Sequence, residues 1–282
     1  MNTEKAIVLH AVVPVRAEAR EQAEQTTQLL FGEVVEIKDT LPRSHQKDKS
    51  EFDPPKMTIK GKWTKIKNES DGQEGWVDSK MVSPLTEEEW QAVRAADKTA
   101  MVKVPVAYAV SMNNGQTIPL SIGTRLYDYK EGIFKVLGVS FRIDPAMVAE
   151  QPIELTEQNL QIVCRFLLNV PYLWGGKNGL GMDCSGFVQQ VLSVFGIRLP
   201  RNASEQAMCG EEIAFEEAQA GDLVFMCHPD EERVTHVGIL IGKETLIHCS
   251  GRVKVEKISK EGTDSHKLLI TRCISACRVP RT

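Results

Sequence analysis

Residues 172–187 read Tyr-Leu-Trp-Gly-Gly-Lys-Asn-Gly-Leu-Gly-Met-Asp-Cys-Ser-Gly-Phe, and the chain runs on as Val-Gln-Gln-Val-Leu-Ser-Val-Phe-Gly through 196. Apolar residues at 187, 188, 191, 192 and 195 follow the spacing of a buried amphipathic helix. Gly196 stands where a helix C-cap belongs. An aromatic pair and a loop with four glycines therefore deliver Cys184 to the first turn of a core helix. Unpaired amides and the positive end of the helix dipole favour a thiolate there. That chemistry suits a nucleophile. A small buried cysteine is the other reading.

A cysteine nucleophile needs a base and a group to orient the base. Of six histidines, His10 and His45 lie in a strand-rich N-terminal region, and His228 falls in a turn. His266 sits in a polar stretch. His236 and His248 each lie within a β-rich run, with the turn Gly242-Lys243-Glu244 between them. A symmetric hairpin centred on Gly242 predicts the two opposite one another, roughly 5 Å apart between Cβ atoms. One ring then fixes the tautomer of the other. A slip of one residue would turn one ring to the other face.

The remaining chain sets bounds. A length of 282 residues allows two or three domains. A net charge of −4 gives no general attraction to nucleic acid or anionic lipid. No run approaches the roughly 18 apolar residues of a membrane span. Seven cysteines without a CxxC pair fit neither a disulfide framework nor a zinc cluster, so no metal or other cofactor is expected. A reducing, cytoplasmic setting is the expectation from cysteine usage, and the N-terminus lacks a secretory layout.

Residues 6–85 read as short strands, interrupted by a polar loop at 42–56 with Pro54-Pro55. Thr86 begins a short helix with an acidic first turn, and strands resume at 102–110, 117–120 and 132–137. After a linker at 149–155, Thr156 caps a helix predicted over 157–169 whose apolar face is 160, 163, 166, 167 and 170. Beyond the Cys184 helix come a short helix near 203–208 and strands at 221–226, 235–241 and 245–249. Helices followed by an antiparallel sheet make an α+β layout.

The order Val-Pro-Val-Arg, Gln-Leu-Leu-Phe-Gly-Glu, Asp-Gly-x-x-Gly-Trp-Val in the first 85 residues resembles a bacterial SH3-like domain. Residues 86–150 look like a second, more divergent one. Tyr-x-Trp-Gly-Gly, Asp-Cys-Ser-Gly-Phe-Val-Gln, Leu-Pro-Arg-Asn-Ala-Ser-Glu-Gln, Gly-Asp-Leu-Val-Phe, Thr-His-Val-Gly-Ile and Ile-His-Cys-Ser-Gly resemble the NlpC-type murein peptidases, papain-like cysteine peptidases. The fold implied is an α+β papain-like domain at 151–282 behind two small SH3-like β-barrels at 1–85 and 86–150.

By that likeness Cys184 is the nucleophile, His236 the general base and His248 the orienting third member. Tyr172 and the Cys184 amide hold the oxyanion. Ser185, Ser204 and Trp174 line the substrate side. Members with two SH3-like domains cleave after γ-D-glutamate in peptidoglycan-derived peptides with a free L-Ala amine. The resemblance gives that amine to Asp183 and Glu33, two carboxylates facing one ammonium. Asp183 reads equally as a helix N-cap, and Glu33 as a strand-end charge. Two other functions are open: an endopeptidase on intact wall stems with the barrels as anchors, and an inactive wall-binding module. Gln73 stands where related barrels often carry tyrosine.

Overall fold

The computed structural model describes residues 4–41, 62–96, 100–227, 233–259, 262–263 and 269–275. The 42–56 insertion, His45, His228 and His266 lie outside them. The chain divides into two compact units, one of residues 1–100, 108–120 and 124–144, the other of 101–107, 121–123 and 145–282.

In the first unit, strands β1 (Lys5–Ile7), β2 (Val12–Arg16), β3 (Gln25–Leu30), β4 (Val34–Leu41), β5 (Trp63–Asn68), β6 (Glu74–Asp78) and β7 (Ser83–Pro84) form one sheet ordered β3-β2-β6-β5-β4-β1-β7. The alternation Val13, Val15 on β2 and Val77 on β6 sends one face inward, where Ala6, Val8, Leu29, Val35 and Ile66 complete the core. A bend at 10–11 separates β1 from β2. Helix α1 (Glu87–Arg94) is the short helix expected after Thr86 and starts at a capping box between Thr86 and Glu89.

Strands β8 (Ala100–Val102), β9 (Val106–Ser111), β10 (Thr117–Ser121), β11 (Arg125–Leu126), β12 (Ile133–Val136), β13 (Val139–Ile143) and β14 (Val148–Ala149) follow. The run read as one strand at 102–110 is split beside Pro105, which lacks a ladder donor. A four-stranded sheet runs β10-β9-β13-β12. Phe31, Phe134 and Phe141 form a ring cluster, with Phe134 stacked on Phe141 at 5.2 Å and Phe31 edge-on to both. The Tyr127 hydroxyl donates to the Gly32 carbonyl at 2.9 Å.

The second unit carries α2 (Glu157–Arg165), the two-stranded hairpin β15 (Lys177–Asn178) and β16 (Gly181–Met182), α3 (Cys184–Val194) and α4 (Ala203–Gln206). Its sheet comprises β17 (Glu211–Ile213), β18 (Leu223–Cys227), β19 (His236–Gly242), β20 (Thr245–Ser250), β21 (Arg252–Ser259), β22 (Gly262–Thr263) and β23 (Leu269–Ser275). The order is β17-β23-β18-β19-β20-β21-β22, antiparallel throughout. Helix α2 stops at Arg165, four residues before the predicted end. Asn169 takes a left-handed φ of 67° in the turn that follows, and Phe166 is thrown outward instead of into the core.

Helix α3 is the centre of this unit. Phe187, Val188, Val191, Leu192 and Val194 are essentially fully buried against Val237, Ile239 and Ile247 of the sheet. Each such side chain stabilises the unit by about 1.5–3 kcal/mol. The helix ends where Gly196 adopts φ +77°, with Gly196 N donating to Ser193 O and Ile197 N to Leu192 O, both at 3.0 Å. This double bond pattern is a Schellman cap, which a left-handed glycine permits. Among the described residues no helix is long and apolar enough to cross a membrane.

Candidate active site

The glycine loop acts as a cradle for the start of α3. Leu173 N donates to Met182 O at 2.9 Å, Gly176 N to Leu173 O at 2.8 Å and Asp183 N to Gly176 O at 3.0 Å. The loop therefore folds back on itself through β15 and β16 and delivers Asp183 as N-cap, its Oδ1 accepting from Gly186 N at 2.7 Å.

Asp183 does more than cap. Its Oδ2 accepts from Gly175 N at 3.0 Å, and the Arg201 guanidinium grips both oxygens, Nη2 to Oδ2 at 2.6 Å and Nη1 to Oδ1 at 3.0 Å. Arg201 also donates to Ser185 Oγ at 2.9 Å and to Gly176 O at 3.3 Å. The Ser185 hydroxyl in turn donates to Asp183 Oδ1 at 3.3 Å. Asp183, Ser185 and Arg201 are all buried, so the bidentate geometry offsets the desolvation of both charges. Of the two readings of Asp183, the cap is the one this geometry contains. The carboxylate's lone pairs are directed at protein donors, and Ser185 is drawn into the same cluster. Arg201 was overlooked in the sequence, although it stands inside the Leu-Pro-Arg-Asn-Ala-Ser block.

Cys184 is buried, with the amides of Ser185 and Val237 donating towards its sulfur. The Val237 amide belongs to the peptide bond that follows His236, so the thiol meets the first peptide of β19. Burial pushes the Cys184 thiol from 9.0 up to about 11, and the charge of Asp183 adds to the shift, against the pull of the two amides and Arg201. The helix-start argument for a thiolate is thus overruled by desolvation. Tyr172 is half-buried. Burial raises its phenol well above the usual value, and the nearby Cys184, Asp183 and Cys249 charges push the same way. Its hydroxyl therefore keeps its proton as a donor, near enough to Cys184 for each charge to act on the other.

His236 Nε2 and His248 Nδ1 are 2.7 Å apart, with the rings edge-on and their centroids 5.0 Å apart. The register differs from the symmetric hairpin: His248 opposes Gly238, and a bulge falls between Leu240 and Gly242. The offset is two residues, so both rings still share a face, and His236 reaches His248 diagonally across Gly238. Glycine is required at that crossing. A Cβ on Gly238 would lie 3.0 Å from the His248 Cβ and 2.8 Å from Leu246 Cδ1.

On its far side His248 Nε2 lies 2.8 Å from Glu256 Oε2, and Glu256 Oε1 is held by Lys254 Nζ at 3.0 Å. Sequence reading missed Glu256 because the stretch after residue 250 is rich in charge. The alternation Val253-Lys254-Val255-Glu256 was the available signal of a strand.

Other expected site residues lie elsewhere in character. Ser204 is exposed on α4, and Trp174 is 61% exposed on the glycine loop. Glu33 belongs to the first unit, where its Oε2 accepts from Leu30 N at 2.8 Å and its Oε1 from Ser70 Oγ at 3.2 Å, closing the β3–β4 turn. Among the described residues no group of His, Cys, Asp and Glu converges to hold a metal ion.

Residues 169–272 match the NlpC/P60 family and residues 11–83 the bacterial SH3 domain. The chain is 32% identical over 186 residues to a gamma-D-glutamyl-L-lysine dipeptidyl-peptidase of Bacillus subtilis, covering 62% of each protein. It is 50% identical over 82 residues to a bifunctional muramidase/DL-endopeptidase of the same organism, covering 28% of this chain and 25% of that protein. The matched segments span less than two thirds of the length of these curated relatives. A crystal structure of an NlpC/P60 family protein from Bacillus cereus superposes with a TM-score of 0.78 at 19% identity, covering 98% of this chain and 100% of that one. Together with the papain-like arrangement of α3 against β18–β20, these matches show that the chain carries an NlpC/P60 domain at 169–272 behind a bacterial SH3 domain at 11–83.

Proposed function

We propose that the protein is a cysteine peptidase of peptidoglycan-derived peptides, with Cys184, His236 and His248 as its triad. The observation that carries this reading is the His236–His248 hydrogen bond of 2.7 Å on the strand whose first peptide meets the Cys184 sulfur. Burial holds the thiol up at about 11, so at neutral pH a lone Cys184 would be almost wholly protonated and a poor nucleophile. Attack needs a base that removes the proton as the C–S bond forms.

In the reaction, the Cys184 sulfur adds to the γ-carbonyl carbon of D-glutamate while its proton passes to His236. The Tyr172 hydroxyl and the Cys184 amide stabilise the oxyanion. Collapse expels the diamino acid's amine, protonated by His236, and leaves a thioester. Water, deprotonated by His236, then hydrolyses the thioester and restores the thiol. The finer substrate is a peptide with a free L-Ala amine, cut to release L-Ala-γ-D-Glu, a reading supported by the name of the 32% identical dipeptidyl-peptidase. Asp183 could hold that amine only by giving up a donor it already has.

The test is mass-spectrometric detection of L-Ala-γ-D-Glu from L-Ala-γ-D-Glu-L-Lys. Cys184→Ala must abolish it, and an undiminished rate would sink the proposal. The relative that is a DL-endopeptidase favours a second reading, cleavage within intact stems. N-acetylating the tripeptide separates the two: cleavage collapses under the first and survives under the second.

A further inference from the structure

Beyond the triad, the hydrogen-bonded row His236–His248–Glu256 has a direction. An ionised carboxylate only accepts, and Lys254 at 3.0 Å from Oε1 keeps Glu256 ionised. The 2.8 Å contact therefore requires the proton of neutral His248 on Nε2. A neutral imidazole has one donor and one acceptor, so Nδ1 of His248 is left as an acceptor, and it faces His236 Nε2 at 2.7 Å.

We propose that Glu256 is a positioning residue that sets the proton order of the histidine pair, a claim resting on the reading of His236 as the base. With His248 Nδ1 accepting, His236 carries its proton on Nε2 and its lone pair on Nδ1. The thiol proton passes from Cys184 Sγ to His236 Nδ1. The imidazolium so formed keeps its Nε2–H bond to His248, and no proton moves to Glu256. Reversed order disables the base. If His248 carried its proton on Nδ1, neutral His236 would accept at Nε2, hold its own proton on Nδ1 and have no lone pair for the thiol.

The placement supports a dedicated role. Glu256 opposes Leu246 and Lys254 opposes His248 in the β20–β21 ladder, so the carboxylate reaches His248 diagonally on the same face. His248 is fully buried and the Glu256 side chain is 11% exposed, which shields this bond from competing water.

Two-dimensional nitrogen-15 NMR of the histidines in the full-length Cys184→Ala protein reads the tautomer without turnover. The expected result is His248 protonated at Nε2 and unprotonated at Nδ1. Glu256→Met, similar in volume but unable to accept strongly, should give a mixture of tautomers. In the active protein the same change should lower kcat by about tenfold or more with KM little altered, the scale seen for outer partners that orient histidines. Glu256→Gln, whose amide oxygen can still accept, should lie between Met and wild type.

An unchanged His248 tautomer in folded Glu256→Met, or an unchanged kcat, overturns the proposal. Because the NMR readout needs no catalysis, its result stands apart from the fate of the peptidase reading. That reading fails separately, if Cys184→Ala retains full activity.

Discussion

Arg201 holds Asp183 by both carboxylate oxygens, at 2.6 and 3.0 Å, and the same Asp183 caps the helix that begins with Cys184. The ion pair therefore fixes the helix start that carries Cys184. Removing one member leaves a buried charge without its partner, which typically destabilises by about 3–5 kcal/mol. Arg201→Met should lose stability on that scale in chemical unfolding. The double change Asp183→Asn with Arg201→Met should lose less than the two single losses added. Simple additivity would show that the pair does not act as a unit.

Gly238 predicts a different balance of effects. A methyl group there meets the end of the Leu246 side chain, which can rotate away, and the His248 Cβ, which is fixed to a central strand. Gly238→Ala should cost about 1–3 kcal/mol as an overpacking change. Its effect on turnover should be larger, because a tilted His248 ring lengthens the bond to His236. A variant with normal kcat and only reduced stability would show that the ring position tolerates the shift.

Alkaline pH should weaken the fold through its buried thiols. Burial raises Cys184 and Cys273 to about 11 and Cys249 to about 12, and pushes Cys164 further in the same direction. Below pH 9 these groups are protonated in both folded and unfolded chains and have no effect. Above it the unfolded chain releases protons that the folded chain retains, so stability falls as pH rises from 9 through 11. Each thiol contributes a slope of up to about 1.4 kcal/mol per pH unit. Cys164→Ala, away from the site residues, should show a shallower fall over that range in urea unfolding. Parallel curves for variant and wild type would remove Cys164 from the account.

Much of this architecture was legible because it is periodic. The α3 helix announced itself through apolar spacing and Gly196, and the strands bearing His236 and His248 through β-branched runs. Local pattern could not supply what depends on three-dimensional company. The hairpin turns at Lys243-Glu244 and not at Gly242, which alone would shift the pairing by three residues, and a bulge that no turn residue advertised brings the shift back to two. Arg201 and Glu256 look like surface charges in sequence and are buried or nearly so only because Asp183 and His248 meet them. The thiolate argument failed for the same reason: a helix start is visible in the sequence, whereas the desolvation that outweighs it comes from residues far along the chain.

Tyr172 separates chemistry from scaffolding most directly. Its backbone amide donates to Gly251 O at 2.9 Å, and this bond does not depend on the phenol. The hydroxyl lies close enough to Cys184 for each charge to act on the other, and burial keeps it protonated. Tyr172→Phe removes one donor and preserves the ring. If that donor faces the oxyanion, kcat should fall by about 10²–10³-fold. Alkylation of Cys184 by iodoacetamide, which forms no oxyanion, should stay within about twofold of wild type. Equal losses in hydrolysis and alkylation would mean that the phenol sustains the thiol itself, and the oxyanion would then rest on backbone amides alone.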